Sequence, residues 1–474
     1  MEMKNSLQAV MAAVMLAASS AFAPGAGAQE LGDKPFAGTH VDWAPSAVIY
    51  EANLRQGTQG RTLKSFSDEL PRLKDLGVDI VWLMPIHPIS ELNRKGTLGS
   101  YYAVKDYKAV NPEFGTLDDL KDFVARAHAL GMKVILDEVC NHSGCDNAWV
   151  KEHPDYYAKD KDGKMFGPFD WTDTYKFDYS NPKMREAMID ALKFWVKEAD
   201  IDGYRADVAM QVPVDFWEQA RKELDKVKPV FMLAEAATPE LTKAAFDADY
   251  AWPMKDVFNA IAATQGVNKW AKEHKENRPR LNALAIDSLL AAQERQYPQD
   301  TYRMQMITNH DLNSWEGTEF DRYGRAVGAF AVLSYTLPGM PMMYTGQEVG
   351  FNHPFEFFET DSVTPDYTPN EFTAFYKMLN GLKHTRPALR AGKSGGKMTR
   401  YATSVPDVYS FSRTLEGPGA DEVTVIVNLS DKPAAVSFTS TQPSVQGKVD
   451  YFSSAKVSLP DSLGPWEYRI YVPE

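Results

Sequence analysis

The chain has 474 residues, 44% of them hydrophobic and 24% charged, with a formal net charge of −13. That length carries a large core and more than one domain, and the composition is that of a soluble globular protein. The acidic balance argues against a nucleic-acid or anionic-membrane partner, both of which draw basic surfaces; a neutral polymer bound through hydrogen bonds and aromatic faces stays open.

Lys4 precedes an apolar run from Ala9 to Ala18, and small residues follow. Ala21-Phe22-Ala23 and Ala26-Gly27-Ala28 both fit the cleavage pattern of an export signal. Pro24 disfavours the first cut, so removal of residues 1–28 is expected, with export to the periplasm or the medium. The run is too short to span a bilayer, and no other stretch qualifies. The mature chain is expected to be a monomer.

Short β-rich runs then alternate with amphipathic ones. Strands are predicted over Ala47–Asn53, Val78–Met84, Lys133–Val139, Ile201–Asp207, Val230–Glu235, Ala248–Trp252, Met304–Asn309 and Met342–Thr345. Several are continuously apolar, as strands buried on both faces are. Helices are predicted over Phe66–Leu76, Leu117–Leu130, Lys183–Glu198, Val214–Val227, Leu281–Arg295, Gly324–Tyr335 and Glu371–His384. This alternation predicts an α/β chain whose residues 29–390 form a (β/α)₈ TIM barrel rather than an open sheet.

Residues 142–180 are rich in Asp, Gly, Pro and aromatics and lack a helical period. A loop of that length in a compact domain is usually functional, so it reads as a small subdomain over the pocket. Cys140 and Cys145, the two cysteines, sit at its entrance; they are either bridged or two free thiols. Past Gly392–Gly396 only β-rich runs follow, Val408–Arg413 to Glu467–Val472, so residues 391–474 are expected to form an antiparallel β-sandwich.

Three of the barrel segments run from an apolar stretch into a carboxylate: Gly203-Tyr204-Arg205-Ala206-Asp207, Phe231-Met232-Leu233-Ala234-Glu235 and Ile307-Thr308-Asn309-His310-Asp311. In a parallel barrel the C-terminal strand ends surround one pocket, so these carboxylates converge. Two close carboxyl groups suit retaining glycoside hydrolysis, one as nucleophile and one as proton donor. Arg205, two residues before Asp207, points into the same barrel mouth and is expected to hold that carboxylate ionised. Glu235 must start protonated, which its apolar lead-in and the nearby acids favour.

Asp137-Glu138-Val139-Cys140-Asn141-His142, the Arg205–Asp207 segment, Ala234-Glu235, Asn309-His310-Asp311 and Gly339-Met340-Pro341-Met342-Met343-Tyr344-Thr345-Gly346-Gln347-Glu348 occur in this order. Together they resemble the signatures of glycoside hydrolase family 13, the α-amylase family. The resemblance implies Asp207 as nucleophile, Glu235 as general acid/base and Asp311 as transition-state stabiliser. It further implies that His142, His310 and Arg205 bind the sugar at the cleaved bond and that Tyr102 stacks on it, with Tyr101 where the family usually has Gly. Asp137 reads as structural, His87 as a core or loop histidine. Trp149, Trp171, Trp315, Phe355, Phe357 and Phe358 are placed on loops above the pocket, as sugar platforms or loop packing.

Asn141 and Asp178 match positions that hold calcium in relatives, and oxygen donors suit that ion. Two features depart from the family. Met210-Gln211 stands where many relatives have Lys-His, which bears on the leaving-group side and on calcium, and Ala236-Ala237 follows the acid instead of a bulky aromatic. The expected activity is hydrolysis of α-1,4 bonds in starch, maltodextrins or related α-glucans, most simply by an endo-acting α-amylase. The alternatives are a transglycosylase or a cyclodextrin- or maltooligosaccharide-degrading enzyme, and, in another class, a non-catalytic sugar-binding relative.

Overall fold

The computed structural model describes residues 31–474; the export signal expected over residues 1–28 lies outside the described residues. Eight parallel strands close into a barrel: β1 (Ile49–Ala52), β2 (Ile80–Leu83), β3 (Lys133–Glu138), and then, after a hairpin of β4 (His142–Gly144) and β5 (Thr174–Lys176), β6 (Gly203–Ala206), β7 (Phe231–Ala234), β8 (Ala248–Tyr250), β9 (Tyr302–Gln305) and β10 (Met340–Tyr344). Around the ring the order is β1-β10-β9-β8-β7-β6-β3-β2, so the first and last strands pair.

Alternation along each strand divides the core in two. Ile49, Ile80, Trp82, Ile135, Phe231 and Leu233 fill the barrel interior, while Tyr50, Val81, Leu83, Val134, Leu136 and Met232 face the helices. Both sets are fully buried, which is why these strands read as unbroken apolar runs.

Gly203 opens β6 beneath Asp207, with φ 155° and its α-carbon opposite Phe231. A β-carbon there would stand 1.9 Å from the Phe231 carbonyl oxygen. Gly203→Ala is therefore expected to destabilise the fold by about 2–4 kcal/mol; equal urea midpoints for variant and parent would contradict this.

Several elements differ from the sequence reading. The helix expected over Phe66–Leu76 is two helices, Leu63–Ser67 and Leu70–Leu76, because Pro71 lacks an N–H and starts a new first turn. An additional helix, Trp252–Thr264, follows β8 and is buried on most sides. Strand β9 ends at Gln305, and Asn309 caps a short helix, His310–Trp315, by accepting the Leu312 N–H at 2.8 Å. Asp311 thus stands on a helical first turn rather than at a strand end. The two cysteines are buried and unbonded. The extended strand β4 between them spans about 10 Å, beyond the roughly 7 Å reach of a bridge.

The C-terminal unit holds β11 (Lys397–Tyr401), β12 (Val408–Leu415), β13 (Asp421–Asn428), β14 (Ala434–Ala435), β15 (Lys448–Asp450), β16 (Ser462–Leu463) and β17 (Tyr468–Pro473). An antiparallel sheet of order β11-β12-β13-β17-β15 faces the pair β14-β16. Tyr409, Phe411, Val425, Val427 and Ile470 join the barrel's core, whereas the alternate residues Val408, Ile426 and Tyr471 pack under β14-β16. Asp287, on a barrel helix, fastens the contact by accepting from the Tyr409 hydroxyl at 2.7 Å and from Arg400 Nε at 3.2 Å. Among the described residues no helix is long and apolar enough to cross a membrane.

Candidate active site

Arg205 is the centre of the site. Its place on β6 opposite Asp137 on β3 turns both side chains into the barrel, where Nη1 lies 2.7 Å from Asp137 Oδ1. The same nitrogen donates to Asp207 Oδ1 at 3.1 Å, and Nη2 lies 3.0 Å from Glu235 Oε2. Glu235 Oε2 also accepts the Val208 N–H at 2.7 Å. Val208 has φ 36°, a left-handed backbone that a β-branched residue rarely adopts. This turn after Asp207 aims its amide at Glu235.

His310 connects Asp311 to the cluster. Its Nδ1 bonds Glu51 Oε1, and its Nε2 lies 2.8 Å from the Tyr102 hydroxyl and 3.4 Å from Asp311 Oδ2. Tyr102 also donates to Asp137 Oδ2 at 3.1 Å, and its ring lies near-parallel to those of His310 and Phe357. His142 Nε2 is buried with no protein partner, which suits a donor or acceptor waiting for a ligand hydroxyl.

Five carboxyl groups crowd this site, on Glu51, Asp137, Asp207, Glu235 and Asp311, and one guanidinium touches three of them, Asp137, Asp207 and Glu235. Burial works against the charge of Arg205, but Asp137 and Glu235 outweigh it and hold the group firmly protonated. Burial pushes Asp137 up to about 6 against the pull of Arg205, and Asp311 to about 6 against that of His310. Burial also raises Glu51 well above the usual carboxyl range. Asp207 is raised as well, by burial and then by the charge of Glu235. Arg205 pulls it down as expected, but burial and the charge of Glu235 outweigh that pull. Burial lowers His142 to about 3, so that imidazole adds no charge near neutrality, and burial also lowers His310. Glu51, Asp137, Asp207 and Asp311 therefore retain protons where isolated carboxylates would lose them.

A cleft opens over the cluster, lined by Tyr102, His142, Asp207, Glu235, His310 and Asp311. Arg205 lies beneath, fully buried and absent from the lining; it holds carboxylates rather than reaching a ligand. Of the six loop aromatics, Trp171, Trp315, Phe357 and Phe358 line the cleft. Trp149 instead packs on Tyr107, Tyr156 and Phe177, and Phe355 on Tyr344 and Phe351. Asp137 has the structural place expected of it, and His87 is a core residue between Tyr107 and Trp195.

Glu51 in the cluster and Lys95 and Asp173 in the cleft wall carry no candidate role in the sequence reading. Glu51 lies inside the apolar strand Ile49-Tyr50-Glu51-Ala52, one residue before its end, and so lacks the strand-end position that marked Glu235. Lys95, in the cleft wall, stands on a loop without any periodicity to mark it.

Asn141 and Asp178 are brought side by side, since the Asn141 carbonyl accepts the Phe177 N–H at 3.1 Å. Asn141 Oδ1 is buried without a partner, but Asp178 Oδ1 is taken by the Ser180 N–H at 2.9 Å and its hydroxyl at 2.6 Å. Among the described residues no three His, Cys, Asp or Glu side chains gather there as a metal group would need. Calcium at this place would take the free Asn141 Oδ1 and need its remaining oxygens from backbone carbonyls and water.

Residues 48–389 match the family model for the α-amylase catalytic domain. The α-amylase MalA of Haloarcula japonica is 27% identical over 409 residues, which cover 83% of this chain and 57% of that protein. A cyclomaltodextrinase of Thermoanaerobacter pseudethanolicus is 26% identical over 85% of this chain and 69% of its own. This chain thus spans little more than half of MalA's length. Among solved structures, the maltogenic α-amylase AmyB from Thermotoga neapolitana superposes with a TM-score of 0.74 at 29% identity, over 90% of this chain and 98% of that one. With the closed barrel, the converging carboxyl groups and a family match over most of the chain, this protein belongs to the α-amylase family of glycoside hydrolases, glycoside hydrolase family 13.

Proposed function

We propose that this protein hydrolyses α-1,4-glucosidic bonds in maltooligosaccharides and related soluble α-glucans, with retention at the anomeric carbon. The observation that carries the reading is the bridge of Arg205 between Asp207 and Glu235, at 3.1 Å and 3.0 Å. One guanidinium's span suits the close carboxyl spacing of retaining enzymes, about 5–5.5 Å, better than the wider inverting geometry.

Asp207 attacks the anomeric carbon while Glu235 gives its proton to the departing oxygen, leaving a glycosyl ester on Asp207. Glu235, now ionised, takes a proton from water, whose oxygen displaces Asp207 from the sugar. Asp311 faces the positive charge that builds on the ring at both stages. Tyr102 and His310, side by side on the cleft lining, pack against the sugar, and the partnerless Nε2 of His142 bonds one of its hydroxyls. The leader expected over residues 1–28 favours action outside the cytoplasm.

A second reading, degradation of short or cyclic maltooligosaccharides, is favoured by the shape of the cleft, since the connections after β7 and β8 add only Glu235 to its lining. Digestion of maltoheptaose, with product lengths resolved and the first-formed anomer followed by NMR, tests both. The α-anomer is expected first. The β-anomer first would exclude retention, and products longer than the substrate would make transglycosylation the main reaction.

The pH dependence follows from Asp311. Its carboxyl is pushed up to about 6, so it is neutral below that value and anionic above it. A stabiliser of positive charge works as the anion, so kcat/KM is expected to fall as pH drops through about 6. A profile flat from pH 7 to pH 4.5 would contradict this role.

A further inference from the structure

The cleft wall differs from one side of the barrel to the other. Loops after β2, β3 and β10 supply Lys95, Trp171, Asp173, Phe357 and Phe358. These three loops are tied together. Asn93 Nδ2 donates to the Thr172 carbonyl at 3.3 Å, and Lys95 Nζ lies 3.5 Å from Asp173 Oδ1. On the other flank the Thr97 N–H donates to Glu359 Oε1 at 2.9 Å and the Leu98 N–H to the Phe358 carbonyl at 3.1 Å. At Gly96 a β-carbon would meet the Phe358 side chain at 2.6 Å, so the loops are in direct contact.

This wall has a definite direction relative to the reaction. In the ring order β7 lies diametrically opposite β1, and β2 and β10 are the neighbours of β1. The acid Glu235, which marks the departing part of the glucan, therefore stands across the cleft from the wall. The wall closes the glycone side, where the chain's non-reducing end lies.

The Lys95–Asp173 pair within it is underused. Asp173 is 4% exposed and Lys95 15%, and neither side chain has another polar partner among the described residues. At 3.5 Å the contact is an ion pair rather than a hydrogen bond. Carboxylate lone pairs and three ammonium protons are left for the cleft, and buried groups of this kind are ordinarily hydrogen-bonded. A donor beside an acceptor matches adjacent hydroxyls on a pyranose ring.

We propose that Lys95 and Asp173 hydrogen-bond the hydroxyls of the terminal glucosyl unit at the non-reducing end, so that the enzyme releases short units from that end. The proposal rests on the α-glucan reading of the same site.

The test uses reducing-end-labelled maltoheptaose and a maltotriose lacking the 4-hydroxyl on its terminal unit. The parent enzyme is expected to shorten the labelled chain by one fixed increment and to favour intact over deoxygenated maltotriose by about 10- to 100-fold, the worth of hydrogen bonds to charged groups. Lys95→Met and Asp173→Asn should scatter the product lengths and lose that preference, and Lys95→Arg should restore part of it. Scattered products or no preference in the parent enzyme would overturn the proposal, as would unchanged behaviour in both variants. No cleavage of either substrate by the parent would instead overturn the α-glucan reading.

Discussion

Asp207→Asn is expected to lower kcat on maltoheptaose by about ten-thousand-fold or more, the scale of losing a covalent nucleophile. The amide cannot form the glycosyl ester, and nothing else in the cleft replaces it: Asp311 is tied to His310, and Glu235 is held by the Val208 N–H and Arg205. The same variant should fold at least as stably as the parent at pH 7. Burial and the charge of Glu235 raise the pKa of Asp207, which means that its anion is disfavoured in the folded state. A neutral isostere removes that repulsion. Kinetics and urea denaturation of one preparation check both halves. More than about one per cent residual activity, well above that scale, would remove Asp207 from the nucleophile's role.

Arg205→Met should damage both activity and stability. Removing one partner of a buried ionic set costs about 3–5 kcal/mol, and here three carboxylates lose their common cation. The loss should depend on pH in a definite direction. Without the guanidinium the carboxyl groups bind protons more tightly, so at low pH they become neutral and the missing cation matters little. As pH rises they must ionise uncompensated. Denaturation at pH 5 and pH 8 should therefore give the larger deficit at pH 8. An equal deficit at both would mean that Arg205 acts by packing alone.

The sequence made the barrel legible because its strands, buried on both faces, are continuous apolar runs bounded by amphipathic helices. Asp207 and Glu235 stood out for the same reason, each closing such a run. The Trp252–Thr264 helix was not read because burial on most sides leaves little polar face to set a period. Strand β9 was placed too late because Met306 and Ile307 continue its apolar character after the ladder ends at Gln305. The charge state of the site lay beyond sequence reasoning altogether. Arg205 next to Asp207 suggests a simple pair, and only the packing of β3, β6 and β7 shows one cation divided three ways. Lys95 and Asp173 are 78 positions apart by their numbers and meet through loop contacts that leave no local pattern.

Ring closure also sets the order in which this enzyme can come to exist. Strand β1 finds its second neighbour only in β10, and the Tyr50 hydroxyl reaches Glu348 across 298 positions. Glu51, from that first strand, is the residue on which His310 rests. A growing polypeptide consequently has no working pocket until nearly three quarters of it has been made, and contacts so distant in sequence form slowly. Until then its apolar strand edges stay open to neighbours, so catalytic competence is gained late and all at once.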